Sequence, residues 1–172
     1  MRPCTLSSFN FIKFIELTRG AYAIVDESDF EWLNQWKWYL HSGGYAVRNG
    51  KRSEGVKGKV IYMHREILKP KEGMATDHID GDRRFNSRIN LRQCTQKQNA
   101  GNVAMNKKNT SGFRGVYFST NSTGWWTARI TMNGKIKHLG ISKDPIVCAK
   151  MYDAAAKKHF GEFARLNFPA GV

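Results

Sequence analysis

The chain has 172 residues, of which 41% are hydrophobic and 24% are charged, a composition typical of a folded globular protein and not of a disordered one. Its 28 lysines and arginines against 14 aspartates and glutamates give a net charge of +14. This excess predicts a polyanionic partner, nucleic acid first and an acidic membrane surface second. Residues 1–50 are neutral, with 5 bases and 5 acids, whereas residues 51–108 carry 14 bases against 6 acids and residues 109–172 carry 9 against 3.

The cysteines and the apolar runs indicate the compartment. Cys4, Cys94 and Cys148 form no CxxC pair, which argues against a structural zinc knuckle and for reduced thiols. No apolar run has the length of a membrane span, and the first 14 residues do not form a convincing signal peptide. We therefore expect a cytoplasmic protein that does not associate with a membrane.

The first half of the chain predicts short elements in the order strand, helix, hairpin, strand and helical turn. They are a strand after Gly20, a helix capped within 26–29, a hairpin of 38–40 with 45–47, a strand over 59–63 and a turn over 64–68. Pro70 is expected to end the turn. Trp32, Trp36 and Trp38 are interpreted as core residues in preference to a base-stacking surface, because the segment is neutral and otherwise poor in large apolar residues.

The last third predicts three antiparallel strands and one helix. The strands are expected over 113–119, 125–132 and 135–141, with turns at 121–124 and at Asn133-Gly134. Asp144 and Pro145 have the pattern of a helix start, and Gly161 that of a helix end. Val147, Met151, Ala154 and Ala155 are predicted to form the buried face of this helix.

A polar stretch over 75–99 contains the residue types that phosphodiester hydrolysis needs. Asp77-His78 is expected to end a strand, Asn90-Leu91-Arg92 to begin the returning strand, and Thr95 with Gln98 to form a capping box. An imidazole accepts a proton near neutral pH, and carboxylate and amide oxygens are hard ligands suited to Mg²⁺. Neighbouring residues of a strand point to opposite faces, so Asp77 and His78 can serve different roles.

These residues resemble the HNH motif of bacteriophage and group I intron homing endonucleases, over roughly Ile15 to Met105. The resemblance implies that His78 is the general base, that Asp77 and Asn99 are metal ligands, and that Asn90 fixes the loop and the orientation of His78. It also extends to Met63-His64-Arg65, which matches a His-Arg pair preceding the motif in phage members. His64 and Arg65 are therefore DNA-binding candidates, although a core position for His64 is an equal alternative.

Other polar residues of the stretch have a plainer interpretation. Asp82 and Asn86 are interpreted as turn formers. Asp80-Gly81-Asp82 suggests a calcium loop, but no glutamate follows at the required spacing.

The residues from Ser111 to Pro169 closely resemble the plant ethylene-response-factor (APETALA-type) DNA-binding domain, through Ser111–Tyr117, Trp126–Ile130, His138–Gly140, Ala149–Ala156 and Leu166–Pro169. In that family a three-stranded sheet enters the major groove. Arg114 matches a DNA-contacting arginine, Arg129 a position that is usually glutamate, Thr131 an arginine and His138 a base-reading tryptophan. These departures put the plant sequence preference in doubt. The physical candidates for DNA contact are Arg114, Arg129, Lys135 and Lys137.

We therefore predict an α+β protein with an N-terminal segment (1–58), a ββα-metal HNH nuclease (59–105), a linker (106–112) and an ethylene-response-factor-like domain (113–170). The predicted function is a Mg²⁺-dependent (or Mn²⁺-dependent) phage or mobile-element homing endonuclease that nicks double-stranded DNA as a monomer in a bacterial cytoplasm. The alternatives are a DNA-binding regulator with an inactive HNH remnant and, less favoured by groove geometry, an RNA-binding protein.

Overall fold

The computed structural model describes residues 11–55, 57–102, 105, 108–119 and 124–169. The chain mixes helices with several small antiparallel sheets, and it divides into two compact units between Gln93 and Cys94. This division falls within the segment 59–105 that the sequence predicts as the nuclease.

The described part of the first unit is a succession of short elements. Its elements are β1 (Ile12–Glu16), β2 (Tyr22–Asp26), α1 (Glu27–Asn34), β3 (Tyr39–Leu40), β4 (Ala46–Asn49), β5 (Val60–Tyr62), α2 (Met63–Leu68), β6 (Ala75–His78) and β7 (Leu91–Cys94). β1 pairs with β2, the three strands β3, β4 and β5 form one antiparallel sheet, and β6 pairs with β7. The expected strands, hairpin and helical turn are confirmed, and β1 is an addition that the sequence analysis missed.

The core of the first unit confirms the interpretation of the tryptophans. Trp38 is buried and donates its indole N–H to the carbonyl of Leu33 at 2.8 Å, while Trp32 and Trp36 pack partly buried against the same core. The guanidinium of the buried Arg48 lies 4.0 Å from the centre of the Trp36 ring and makes a bidentate pair with Glu54. These indoles are therefore occupied by packing inside the protein.

The loop between β6 and β7 is fastened to β2. The amide of Ile24 donates to the carbonyl of Arg84 at 2.9 Å, and the amide of Asn86 donates to the carbonyl of Ile24 at 2.7 Å. At the end of β2 the buried carboxylate of Asp26 accepts the hydroxyl of Ser87 at 2.5 Å and the amide of Arg88 at 2.8 Å. Backbone pairing and a buried carboxylate thus hold a polar loop in one conformation.

The second unit contains a three-stranded sheet and a long helix, as the sequence predicts. Its elements are α3 (Gln96–Asn99), β8 (Val116–Phe118), β9 (Trp126–Met132), β10 (Lys135–Ser142) and α4 (Pro145–Phe160). β9 is the central strand and pairs antiparallel with both others. Of the turn predicted at 121–124, residues 121–123 lie outside the described residues.

Local sequence signals explain the boundaries of these elements. Asn133 and Gly134 both have positive φ, at 52° and 74°, as a two-residue hairpin turn requires. The Asp144 side chain accepts the amide of Ile146 at the start of α4. The Thr95 hydroxyl accepts the amide of Gln98 at 3.2 Å, and the Gln98 side chain accepts the amide of Thr95 at 2.7 Å, so the expected capping box is present.

The predicted buried face of α4 is correct only in part: Met151 packs partly buried against the core of this unit, and Ala155 is half-buried. Val147 and Ala154 are exposed, and the buried positions of the helix are Cys148, Ala149, Tyr152, Ala156 and Phe160. A cysteine and two aromatic residues, none of them among the predicted positions, are buried together with small alanines. The close approach also requires Gly115, because a Cβ there would lie 2.0 Å from the Tyr152 ring.

Among the described residues, no helix has the length and apolar character to cross a membrane. Cys94 and Cys148 are buried free thiols.

Candidate active site

His78 ends β6, and its imidazole is almost enclosed by the protein. All four residues of β6 are buried, and His78 is 5% exposed. Burial lowers the pKa of His78, while the hydrogen bond to Asn86 and the charges of nearby aspartates act in the opposite direction. The ring therefore favours its neutral form, which is the form that accepts a proton.

Asn86, interpreted from the sequence as a turn former, also forms a hydrogen bond with His78. It is fully buried, and its Oδ1 lies 3.1 Å from Nε2 of His78. Its amide nitrogen donates to the carbonyl of Arg84 at 2.9 Å. No local sequence signal indicates this contact, because the two partners are eight positions apart and only the folded loop brings them together.

Asn90 braces the loop. Its amide nitrogen donates to Oδ1 of Asp80 and to the carbonyl of Phe85, both at 2.9 Å, and its Oδ1 accepts the amide of Asp80 at 3.1 Å. The Ile79 amide donates to the Asn90 carbonyl at 2.9 Å, which closes the loop at its base. Asn90 thus joins both ends of the loop, whereas the side chain that orients His78 is Asn86.

Asp77 precedes His78 and is paired with Arg92 across β6 and β7. Its Oδ2 accepts Nε of Arg92 at 2.9 Å and lies 2.8 Å from Nη2, with Asp77 6% exposed. The described residues contain no group of three or more His, Cys, Asp or Glu side chains able to hold a metal ion. A magnesium ion needs only one or two protein carboxylates, because water and phosphate complete its shell. The donor set of Asp77 with an amide oxygen fits that pattern.

Asn99 is the last residue of α3 and therefore belongs to the second unit, whereas Asp77, His78 and Asn90 belong to the first. Its backbone amide donates to the carbonyl of Thr95 at 2.9 Å. Its role as a metal ligand stays a prediction.

Aromatic rings surround His78. The His64 and Tyr45 rings have their centroids 5.1 Å and 6.1 Å from that of His78. His64 is 4% exposed, and its Nδ1 is buried without a hydrogen-bond partner. Burial, followed by the charges of His78 and Arg65, lowers the pKa of His64 to about 3. His64 therefore occupies the core position that the sequence left open, while Arg65 is exposed on α2.

Arg83 is a further cation in the same loop that the sequence analysis did not single out. Its guanidinium lies 4.6 Å from the centre of the Tyr45 ring and donates to the carbonyl of Gly43 at 2.5 Å. The residue is exposed. The Tyr45 ring thus lies near both His78 and a solvent-exposed guanidinium, and such a cation suits an anion near the imidazole.

In the second unit, the sheet separates the predicted cations onto two faces. Paired residues of an antiparallel sheet share a face, so Arg129 lies with its partner His138, and Thr131 with Ile136. All four are exposed. The positions matched to the plant family, 129, 131 and 138, are therefore brought together on one open face.

Lys135 and Lys137 lie on the opposite face of the sheet. Lys137 pairs with Ile130, which is buried on the helix side, and Lys135 pairs with Met132. Arg114 is half-buried, forms a hydrogen bond with Tyr152 of α4, and has its pKa lowered chiefly by burial. Of the four predicted DNA-binding residues of this unit, only Arg129 lies on the face that carries Thr131 and His138. Lys135 and Lys137 are exposed on the other face, and Arg114 is half-buried.

The sequence of the chain is similar to those of two viral proteins. A protein of Acanthamoeba polyphaga mimivirus named as an uncharacterized HNH endonuclease is 29% identical over 158 residues, which are 87% of this chain and 76% of that protein. Protein 3.8 of Escherichia phage T7 is 36% identical over 97 residues, which are 56% of this chain and 78% of that protein. No protein-family model matches the chain, and no solved structure matches it. The chain belongs to the family of phage T7 protein 3.8.

The burial of His64 predicts a loss of stability in acid. An unfolded histidine takes up a proton below pH 6.5, whereas folded His64 resists it down to about pH 3, so stability is present at neutral pH and falls as the pH drops through 6.5. At pH 5 the difference amounts to about 2 kcal/mol, from roughly 1.4 kcal/mol per pH unit. His64→Phe, which keeps an aromatic ring, should remove that loss.

Urea unfolding at pH 7 and pH 5 measures this effect. His138→Gln is the matched control, because His138 is exposed and the substitution should leave the pH dependence of wild type unchanged. An identical acid-induced loss of stability in wild type and His64→Phe would contradict the prediction.

Proposed function

We propose that the chain is a metal-dependent DNA endonuclease of the HNH kind, with a ββα-metal site, that hydrolyses phosphodiester bonds. The observation that carries the proposal is the buried imidazole of His78, held by Asn86 next to the Asp77–Arg92 pair at the end of β6. The HNH endonuclease name of the mimivirus relative supports the same reaction class. A phage or mobile-element homing enzyme is the biological role that fits this family, acting in the cytoplasm of a bacterial host.

In the proposed reaction, His78 accepts the proton of a water molecule that attacks the scissile phosphorus. Burial keeps the imidazole neutral before the step, and the proton that arrives creates an imidazolium. Asn86 continues to accept a hydrogen bond from this ring in its charged form, so the base does not turn away during the reaction. Asn90 keeps the loop closed around both residues.

Asp77 would hold Mg²⁺ or Mn²⁺, which when bound supplies positive charge to the phosphate and to the leaving oxygen. Arg92 pairs with the carboxylate of Asp77 and fixes its orientation. Arg83 and Arg65 are exposed cations of the same unit and are proposed to contact the phosphates that flank the cut.

The second unit is proposed to bind double-stranded DNA through the open face of its sheet, in the manner of the ethylene-response-factor-like domain that its sequence resembles. This face presents Arg129, Thr131 and His138 together. Binding of the second unit to DNA would raise the effective concentration of the nuclease near its target.

The first prediction of this proposal concerns His78. His78→Ala should lower the cleavage rate of DNA in Mg²⁺ by at least ~10²-fold, the usual cost of losing a general base, while DNA binding by gel shift is retained. Asp82→Asn is the control in the same loop: asparagine retains the turn contact to the amide of Arg84, so its rate should stay near that of wild type. Undiminished cleavage by His78→Ala would contradict this mechanism.

If the wild-type protein binds DNA specifically but cleaves none in Mg²⁺ or Mn²⁺, the alternative of a DNA-binding regulator with an inactive HNH remnant is favoured.

A second prediction compares the two faces of the sheet. Arg129→Ala should weaken duplex binding and reduce the salt dependence of the affinity by about one phosphate contact, because a counterion is no longer released. Lys137→Ala removes an equally exposed cation from the next strand but from the opposite face, and should leave both quantities nearly unchanged. Fluorescence anisotropy at several salt concentrations measures both variants. A greater loss with Lys137→Ala would assign binding to the other face.

A third prediction concerns the number of strands cut. One His78 centre reaches one phosphate, so a monomer should nick a single strand. A pool of supercoiled plasmids with random inserts is digested at limiting enzyme and sampled over time. Open circles should accumulate first; direct formation of linear plasmid, together with a dimer mass by light scattering, would refute the monomeric nicking enzyme.

A further inference from the structure

The contacts of Asn86 determine which nitrogen of His78 carries the proton. The amide nitrogen of Asn86 faces the backbone carbonyl of Arg84 at 2.9 Å. A carbonyl only accepts hydrogen bonds, so this atom must be the NH₂ group of Asn86. The other end of the amide is then fixed as Oδ1, and it faces Nε2 of His78 at 3.1 Å.

An amide oxygen also only accepts, so the ring nitrogen opposite it has to be the donor. Neutral His78 therefore carries its hydrogen on Nε2, which leaves the basic lone pair on Nδ1. The two contacts of Asn86, with Arg84 and with His78, thus select the tautomer of the imidazole.

The backbone prevents Asn86 from turning. Its amide N–H donates to the carbonyl of Ile24 in β2 at 2.7 Å, and the neighbouring Phe85 forms a bridge with Ile24. The side chain is fully buried, so water does not compete for its hydrogen bonds. Ile24 of β2 lies 62 residues before Asn86 in the sequence. Its contact with the Asn86 backbone thus holds the side-chain amide in place opposite the imidazole of His78.

We propose that Asn86 is a positioning residue that holds His78 in the Nε2–H tautomer and so directs the Nδ1 lone pair to the attacking water. The role of Nδ1 toward the attacking water rests on the proposed nuclease function, whereas the tautomer is a property of the protein without DNA. The same contact serves both protonation states, because Nε2 remains a donor when Nδ1 accepts the proton of water. No other residue of the loop needs to move.

Two substitutions separate this role from a purely structural one. Asn86→Ala and Asn86→Asp both remove the NH₂ group that donates to Arg84, so both cost the loop that contact. Only Asn86→Asp keeps an oxygen opposite Nε2 of His78. A purely structural role predicts that Asn86→Asp is the more damaging variant, because its second carboxylate oxygen faces the carbonyl of Arg84. Tautomer selection predicts instead that Asn86→Asp retains the hydrogen on Nε2 of His78 and Asn86→Ala does not.

The measurement is ¹⁵N NMR of the histidine side chains in the full-length protein without DNA, at a pH where His78 is neutral in wild type. The resonance is assigned by its loss in His78→Ala. Wild type should show the Nε2–H tautomer, Asn86→Asp should keep hydrogen on Nε2, and Asn86→Ala should show a mixture or the Nδ1–H form. Wild-type His78 in the Nδ1–H form, or an unchanged tautomer in Asn86→Ala, overturns the proposal. The tautomer of wild-type His78 is sufficient to overturn the proposal, so the proposal stays testable even if a variant folds poorly.

Activity provides the second measurement. With plasmid DNA and Mg²⁺, Asn86→Ala should lower kcat by about 10- to 100-fold, the usual cost of losing the group that orients a functional histidine, with little change in KM. Asn86→Asp should lose less. Equal losses in the two variants would contradict positioning. If wild type cleaves no DNA, the nuclease proposal fails, while the NMR result still decides the tautomer.

Discussion

The buried carboxylate of Asp26 is the constraint on which the candidate site depends. It ends β2 and accepts the Ser87 hydroxyl and the Arg88 amide at 2.5 and 2.8 Å. Charge-assisted hydrogen bonds of this kind contribute about 1.5–3 kcal/mol each, and leaving the carboxylate without them costs more because it is buried. The polar loop between β6 and β7 is thus held against a strand far away in sequence, and Asn86 is held with it.

A second carboxylate strengthens this attachment. Asp29 in α1 is buried, and it accepts two hydrogen bonds from the guanidinium of Arg88 at 2.8 and 2.7 Å and one from the indole of Trp32 at 3.1 Å. Asp26 and Asp29 therefore join the N-terminal elements to the loop that carries the catalytic candidates. This explains in physical terms why the first unit continues from β1 through β7, and why the N-terminal elements belong to the site's support.

Inside the first unit, the charges near the base are balanced. Arg92 neutralises Asp77, and the low pKa of His64 keeps a second positive ring away from His78. Two imidazoles with centroids 5.1 Å apart repel each other when both are protonated, so a neutral His64 leaves His78 as the ring that can become charged. Burial of both rings serves this arrangement, because it disfavours their charged forms.

The sequence by itself determined the elements whose signals are local. The capping box at Thr95, the turn at Asn133-Gly134 and the start of α4 at Asp144-Pro145 depend on neighbouring residues and are confirmed. Tertiary structure decided what depends on distant contacts. Asn86 gained its partner only through pairing of its loop with β2, and Lys137 was separated from Arg129 by the register of two strands. A residue's type and spacing specify what it can do, but its partner is set by which distant segment packs against it.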